Sequence, residues 1–181
     1  MKSTRQHLFH ALVALLILVS PASLRAQDRF ALVAPNGIAF SEIRGYEDWS
    51  VVAPSFRTDN NEVRVILANK VMIDSYRQGA PGAVGSFPEG SMIVKIGYSA
   101  VKSQSFAAAL VPGVLKRVEF IIKDSTRFPA TSGWGYARFL YDPLKGIFTP
   151  YGKDTSFSQE CYACHTIVKD QDFIFTKYPS R

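Results

Sequence analysis

The residues best suited to chemistry lie close together near the C-terminus, in the segment Cys161-Tyr162-Ala163-Cys164-His165. Cys-x-x-Cys-His is the pattern through which a c-type haem is attached: both thiols bond to the porphyrin and the imidazole binds its iron. On a helix, residues three and four positions apart share a face, so these three side chains can hold one flat ligand. The pattern predicts a covalent haem c, with Cys161 and Cys164 as attachment points and His165 as the proximal iron ligand.

A close cysteine pair has other uses, namely a redox-active disulfide, a plain structural disulfide or half of a zinc site. A structural zinc site needs four ligands, and the sequence has no second cluster of cysteine or histidine. A thioredoxin-like pair follows an early strand of a βαβ unit, whereas this pair lies near the C-terminus. Haem attachment is therefore favoured, and a plain or redox-active disulfide is the alternative.

The N-terminal segment has the pattern of a secretory signal. The basic residues Lys2 and Arg5 precede a nearly unbroken apolar run over residues 8–19, and the small residue Ala26 stands at the expected cleavage site. A membrane-spanning helix needs about 20 apolar residues, so the run is short for one. We expect residues 1–26 to be a signal peptide and the mature chain to be periplasmic; an uncleaved N-terminal anchor is the alternative.

Removal of this segment changes the supply of iron ligands. His7 and His10 lie within it, so His165 becomes the sole histidine of the mature chain. The net charge falls from +6 to +3, and without a Lys/Arg stripe this mild charge does not indicate nucleic-acid binding. Met72 and Met92 are the remaining methionines, and both fit apolar core positions. The sequence therefore predicts an iron with one open coordination position.

The elements that must position these residues are mostly strands. Extended runs rich in β-branched and aromatic residues occur at 49–52, 62–67, 91–98, 114–123 and 134–141. One helix is predicted at about Lys70–Arg77, and a second carries the haem motif, with Ser156 and Gln159 in capping-box spacing at its start. No repeat or linker divides residues 27–181, so one domain is expected. The predicted class is α+β, mainly an antiparallel β-sheet with a few short helices.

The order of motifs resembles the cytochrome P-460 family, which includes the cytochrome c′-beta proteins. The resembling segments are Trp49-Ser50-Val51-Val52, Phe56-Arg57-Thr58-Asp59-Asn60, Phe87-Pro88-Glu89-Gly90 followed by Lys95, Val118-Glu119 ahead of Lys123-Asp124-Ser125, Gly133-Trp134-Gly135-Tyr136-Ala137, and the Cys-x-x-Cys-His motif. The resemblance implies an exported β-sheet protein, usually a homodimer, with a five-coordinate haem that handles nitric oxide or hydroxylamine. Turnover would also require a periplasmic redox protein as electron acceptor.

Lys95 is the residue at which the branches of this family differ. In the hydroxylamine-oxidising branch, the lysine at this position is bonded to a meso carbon of the porphyrin. The c′-beta branch lacks that bond and caps the iron with apolar aromatic groups, for which Phe56, Phe87 and Phe128 are candidates here; core packing is their alternative role. Strand alternation also leaves Lys95 free to be solvated or to pair with a haem propionate.

Glu119 matches the family carboxylate that accepts protons when hydroxylamine is oxidised. Burial would raise the pKa of such a carboxylate toward neutrality and suit it to proton transfer. Alternation also places Arg117, Glu119 and Lys123 on one strand face, where a weak, exposed ion pair is the alternative. The leading hypothesis is a cytochrome that oxidises hydroxylamine or reacts with nitric oxide, with Lys95 and Glu119 as catalytic residues. A nitric-oxide-binding protein without turnover and an electron-transfer cytochrome are the alternatives.

Overall fold

The computed structural model describes residues 27–180, so the predicted signal peptide lies outside the described residues. At its centre is a six-stranded antiparallel sheet in which each strand pairs with the next along the chain. The strands are β1 (Ser50–Arg57), β2 (Glu62–Ala68), β3 (Met92–Lys102), β4 (Leu110–Lys123), β5 (Trp134–Asp142) and β6 (Ile147–Pro150). The helices are α1 (Lys70–Arg77) and α2 (Phe157–His165). The α+β prediction is confirmed.

The five predicted strands and the helix α1 are present, and two features differ from the prediction. Strand β6 was not predicted, because its four residues are too few to show an alternating pattern. Strand β4 begins at Leu110 rather than Val114, since Pro112 and Gly113 read as a turn. In this part β4 pairs with β3 alone, so a proline without an N–H group is tolerated at its open edge.

The sheet buries apolar side chains on both faces. The first face packs under the N-terminal 3-10 helices, which contribute Phe40 and Ile43, and the second packs under α1 and the loop that follows it. The buried strand residues of the first face include Val94, Val118, Phe120 and Phe139, and those of the second include Ile66, Ile93, Trp134 and Tyr136. Met72 is fully buried under the second face and Met92 packs against the first core, so both methionines fill the core as predicted.

Helix α1 begins at a side-chain cap. Asn69 has extended backbone angles, and its Oδ1 accepts from the backbone N–H of Met72 at 3.1 Å and from that of Met92 at 3.2 Å. One side chain therefore satisfies a donor at the helix start and joins α1 to β3. Within the described residues, no helix has the length and apolar character needed to cross a membrane.

Helix α2 begins where the sequence predicts, but not through the predicted capping box. Ser156 already has helical backbone angles, with φ −65° and ψ −23°, and its side chain makes no capping hydrogen bond. A capping side chain needs an extended backbone to reach the helix N–H groups, so this prediction is wrong. Asp154 instead accepts from the backbone N–H of Ser156 at 2.8 Å.

Close packing at Gly135 of β5 gives a stability prediction. The ring of Phe128 lies so near that a β-carbon at Gly135 would come within 3.0 Å of several ring atoms. We expect Gly135→Ala to lower the free energy of unfolding by about 1–3 kcal/mol, measured by urea denaturation. In a Phe128→Ala background the same change should cost much less. An equal loss in both backgrounds would contradict this explanation.

Candidate functional site

A cavity of about 620 Å³ lies against the second face of the sheet, beside α2 and the C-terminal segment. Its volume is within the range of about 300–1,000 Å³ that is usual for ligand and cofactor sites. The predicted site residues Lys95, Glu119, Cys161, Cys164 and His165 all line it. The fold thus brings the strand residues and the C-terminal motif, which are far apart in sequence, to one cavity.

The two cysteines of α2 are free thiols at the cavity wall. Cys161 is partly buried and Cys164 is exposed. Burial raises the pKa of the Cys161 thiol, and the nearby positive charge of Arg138 opposes this shift only in part. Both thiols are therefore available for thioether bonds to a group held in the cavity.

The imidazole of His165 is oriented by a backbone carbonyl. Its Nδ1 lies 2.5 Å from the carbonyl oxygen of Phe173. A carbonyl oxygen only accepts, so Nδ1 carries the proton and Nε2 keeps a lone pair for a metal. The rings of Tyr136 and Phe175 pack against the imidazole, with centroids 5.1 Å and 5.0 Å away. Burial lowers the pKa of His165, which favours the neutral form that binds metals.

A charged row crosses the cavity wall from β3 to β5. Strand register pairs Lys95 with Glu119, and Glu119 with Arg138. The Nζ of Lys95 is 2.5 Å from Oε2 of Glu119, and Arg138 donates to its Oε1. Arg117 adds a third cation, with Nε 3.4 Å from Oε2. The next row of the same face holds Ile93, Ile121 and Tyr136, so the cavity wall has a charged half and an apolar half.

The environment of Glu119 corrects two expectations. Glu119 is only 7% exposed, so the alternative of an exposed, weak ion pair is wrong. Burial by itself would raise the pKa of Glu119, but the charges of Lys95, Arg138 and Arg117 outweigh burial and lower it to about 2. The expectation of a pKa raised toward neutrality is therefore wrong for the site with these partners, and Glu119 is a carboxylate at neutral pH.

Lys95 lies in the cavity wall and is not freely solvated. Its side chain is 29% exposed and its ammonium group pairs with Glu119. Lys123, which shares the strand face of Glu119, is not among the cavity-lining residues and pairs with Asp172.

The three phenylalanines considered as iron caps do not line the cavity. Phe87 is 2% exposed in the core under the second face, Phe128 packs over Gly135, and Phe56 is exposed on β1. Core packing, the alternative role, therefore describes Phe87 and Phe128, and an aromatic cap from the exposed Phe56 stays a prediction. The aromatic lining residues Tyr136 and Phe175 contact His165 itself.

The sequence did not single out Arg138, Tyr136 or the carbonyl of Phe173 as site components. The alternation of β5 puts Trp134, Tyr136 and Arg138 on one face, and this pattern can be recognised from the sequence. The pairing of Arg138 with Glu119 could not be predicted, because the register between β4 and β5 depends on the folded sheet. The contribution of the Phe173 carbonyl could not be predicted either, because every residue has a backbone carbonyl.

The residues of the cavity fit a covalently attached haem. Two free thiols, a neutral imidazole with an open Nε2 and an apolar wall meet at one cavity. The hydroxyl of Tyr136 is buried at this wall and has no hydrogen-bond partner within residues 27–180, as expected where a further group completes the site. Among the described lining residues there is no methionine and no histidine besides His165, so none offers a second axial ligand of the usual kinds.

An antiparallel sheet with a thiol- and imidazole-bearing helix beside a cofactor-sized cavity defines a haem-binding cytochrome of β-sheet type. Comparison with protein families gives a match to the family described as cytochrome P-460 over residues 43–176, most of the chain. The chain belongs to the cytochrome P-460 family, which confirms the resemblance and identifies haem as its cofactor. A comparison with curated proteins gives no match.

Proposed function

We propose that this chain is a periplasmic, mono-haem c-type cytochrome that oxidises hydroxylamine at an open iron position. The observation that carries the proposal is the charged row of Lys95, Glu119 and Arg138 in the wall of the cavity that His165 lines. Oxidation of a nitrogen–hydrogen substrate releases protons, and a carboxylate beside the reacting group can accept them. A pocket that only binds a diatomic gas releases no protons and has no such use for a buried carboxylate.

The protein residues have separate roles in this proposal. Cys161 and Cys164 hold the haem by thioether bonds, and His165 binds its iron through Nε2. The haem supplies the redox chemistry and the open coordination position. Tyr136 and Phe175 pack against the imidazole ring and restrict its orientation.

Glu119 accepts protons in this proposal, although its low pKa makes it a weak base in the triple ion pair. A carboxylate becomes a better base when a neighbouring cation is lost, because the charged form is then less favoured. Among the cations around Glu119, Lys95 does the most to lower its pKa. A Lys95 whose nitrogen is bonded to an aromatic porphyrin carbon would not carry the ammonium charge, so we propose that this bond raises the pKa of Glu119 and suits it to the reaction.

A cytochrome c′-beta-like protein that binds nitric oxide without turnover is the second candidate. The apolar half of the wall, with Ile66, Ile93 and Ile121, is suited to a small neutral gas. Homodimer formation is proposed for both candidates, whereas electron transfer to a periplasmic redox protein is proposed for the hydroxylamine-oxidising candidate, because only turnover requires an electron acceptor. An electron-transfer cytochrome is third, since the described cavity lining supplies no second axial ligand of the usual kinds.

The test uses the mature holoprotein, matured with haem, and measures the reduction of an artificial electron acceptor with and without hydroxylamine. We expect reduction that depends on hydroxylamine and saturates with its concentration. His165→Ala should remove at least about 90% of the turnover, because losing even an outer-shell partner of a metal ligand typically costs 10–100-fold in activity. Nitric-oxide binding without hydroxylamine-dependent reduction would support the second candidate, and failure of both reactions would contradict both.

A further inference from the structure

Another buried carboxylate, Asp172, lies outside the cavity lining and just beyond the 3-10 helix Thr166–Gln171. It is 9% exposed. Three parts of the fold donate to it: the backbone N–H of Phe87 at 2.9 Å, the indole Nε1 of Trp134 at 3.2 Å and the Nζ of Lys123 at 3.1 Å. Asp172 is therefore fixed from the loop after α1, from β5 and from β4.

The backbone at this point has an unusual conformation. Asp172 and Phe173 have φ values of 47° and 62°, in the left-handed region that residues other than glycine seldom adopt. Such residues are strained, and they persist where the surroundings impose the conformation. The turn has one visible result: it directs the carbonyl of Phe173 at Nδ1 of His165, 2.5 Å away.

The network around Asp172 is suited to impose that conformation. Lys123 is 8% exposed, and besides Asp172 it contacts the carbonyl of Ser132 at 3.3 Å and lies 4.8 Å from the ring centroid of Trp134. Lys123 and Trp134 are also direct partners in the β4–β5 ladder. Removing or displacing one partner of a buried ion pair is strongly unfavourable, because the other charge is then buried without a partner. The carboxylate thus has one well-determined place, and the turn that follows it is fixed with it.

We propose that Asp172 is a positioning residue for the proximal iron ligand. By fixing the Phe173 carbonyl, it holds His165 in the Nδ1–H tautomer, sets the orientation of the ring and strengthens Nε2 as a donor to iron. Outer-shell groups of this kind commonly tune metal-bound histidines. The inference rests on the part of the proposed function in which His165 binds the haem iron, and it is independent of the substrate.

The test compares ferrous holoprotein of the wild type with Asp172→Ala and Asp172→Asn. One readout is the iron–histidine stretching frequency by resonance Raman spectroscopy. The other is the rate at which nitric oxide displaces His165 from the iron, followed optically. We expect Asp172→Ala to lower the frequency and to speed displacement by about tenfold. Asp172→Asn should change both in the same direction by less, because its side-chain oxygen still accepts hydrogen bonds.

Asp170→Ala is the matched control, since Asp170 is an exposed carboxylate of the preceding 3-10 helix. It should leave both readouts unchanged. A purely structural role for Asp172 would lower the free energy of unfolding while frequency and displacement rate stay at wild-type values, and this result would overturn the inference. If Asp172→Ala does not fold, unchanged readouts in the near-isosteric Asp172→Asn would overturn it equally. Absence of an iron–histidine band in the wild type would instead contradict haem ligation by His165, and with it the proposed function.

Discussion

Glu119→Gln is expected to slow hydroxylamine-dependent turnover by about 100- to 10,000-fold, the usual contribution of a positioned proton acceptor. Glutamine has nearly the same shape and can still accept a hydrogen bond from Arg138. It cannot take up a proton at the pH of the reaction. The measurement is the steady-state rate of acceptor reduction by the holoprotein, with kcat separated from KM. We expect the loss in kcat, because a proton acceptor acts on the chemical step.

The same substitution should also change stability in a pH-dependent way. While Lys95 carries its ammonium charge, the pKa of Glu119 is about 2 in the folded protein, against an ordinary value of 4.5. A depressed folded-state pKa stabilises the fold above the unfolded value, and this contribution disappears as the pH falls from about 4.5 to about 2. Above this window, the substitution leaves Lys95, Arg138 and Arg117 without their shared carboxylate and should cost about 3–5 kcal/mol. Urea denaturation of the haem-free chain, in which Lys95 keeps its ammonium charge, measures the difference at pH 7 and pH 3, and it should be smaller at pH 3.

Glu42→Gln is a matched control for both readouts. Glu42 also forms an ion pair with an arginine, Arg127, but it does not line the cavity. Its substitution should leave turnover within about twofold of wild type and cost about 1 kcal/mol or less, as for other partly exposed pairs. Retained turnover in Glu119→Gln would show that Glu119 is not the proton acceptor. A stability loss that is the same at pH 7 and pH 3 would show that Glu119 is not the centre of the ion-pair cluster.

Much of the sheet was accessible from the sequence because its strands have regular patterns. The runs that became β2 and β5 are rich in β-branched and aromatic residues, and Lys70–Arg77 has a helical pattern preceded by Asn69, a side chain suited to capping. The short 3-10 helices between residues 29 and 48 follow no such period. They are held by their contacts with the first face of the sheet, which do not exist before the sheet forms.

The candidate site was predictable in its chemistry and only partly in its electrostatics. Cys161, Cys164 and His165 lie within five consecutive residues, so they could be grouped as candidate haem ligands without knowledge of the fold. The direction of the pKa shift of Glu119 depended on cations brought to it from two neighbouring strands, Lys95 on β3 and Arg138 on β5. Whether burial or ion pairing dominates is decided by strand register, and register is a property of the folded sheet.

Lys95→Ala is expected to remove a covalent link between the protein and the porphyrin, which would leave two thioether bonds as the attachment. Forming the proposed link replaces one N–H bond of Lys95 and one meso C–H bond of the porphyrin by a C–N bond. It releases two protons and two electrons, so maturation needs a two-electron oxidant. Mass spectrometry of haem peptides from the wild type should find Lys95 and the Cys161–Cys164 segment on one porphyrin. The mass of this crosslinked species should be lower, by two hydrogens, than the summed masses of the peptides and the haem.

The optical consequence follows from the change in the porphyrin. A nitrogen substituent at a meso carbon perturbs the ring, so the ferrous wild type should have a strongly red-shifted band that is entirely lost in Lys95→Ala. Lys95→Arg distinguishes the bond from the charge, because arginine keeps a cation beside Glu119 but offers no simple amine to form the link. If the bond causes the shift, both variants lose the band; if the charge causes it, only Lys95→Ala does.

The same experiment decides between the two candidate functions. Loss of the bond restores an unperturbed haem. In Lys95→Arg, Glu119 also stays paired with a full cation, so in the proposed mechanism the pKa of Glu119 stays low. Turnover should therefore be lost together with the red-shifted band. Haem peptides of the wild type that carry only thioethers to Cys161 and Cys164, with a ferrous spectrum unchanged in Lys95→Ala, would contradict the crosslink. The ion pair of Lys95 with Glu119 would then be a permanent feature of the cavity wall, with Glu119 held as a weak base. That site is poorly suited to proton transfer, and nitric-oxide binding without turnover becomes the function that its residues support.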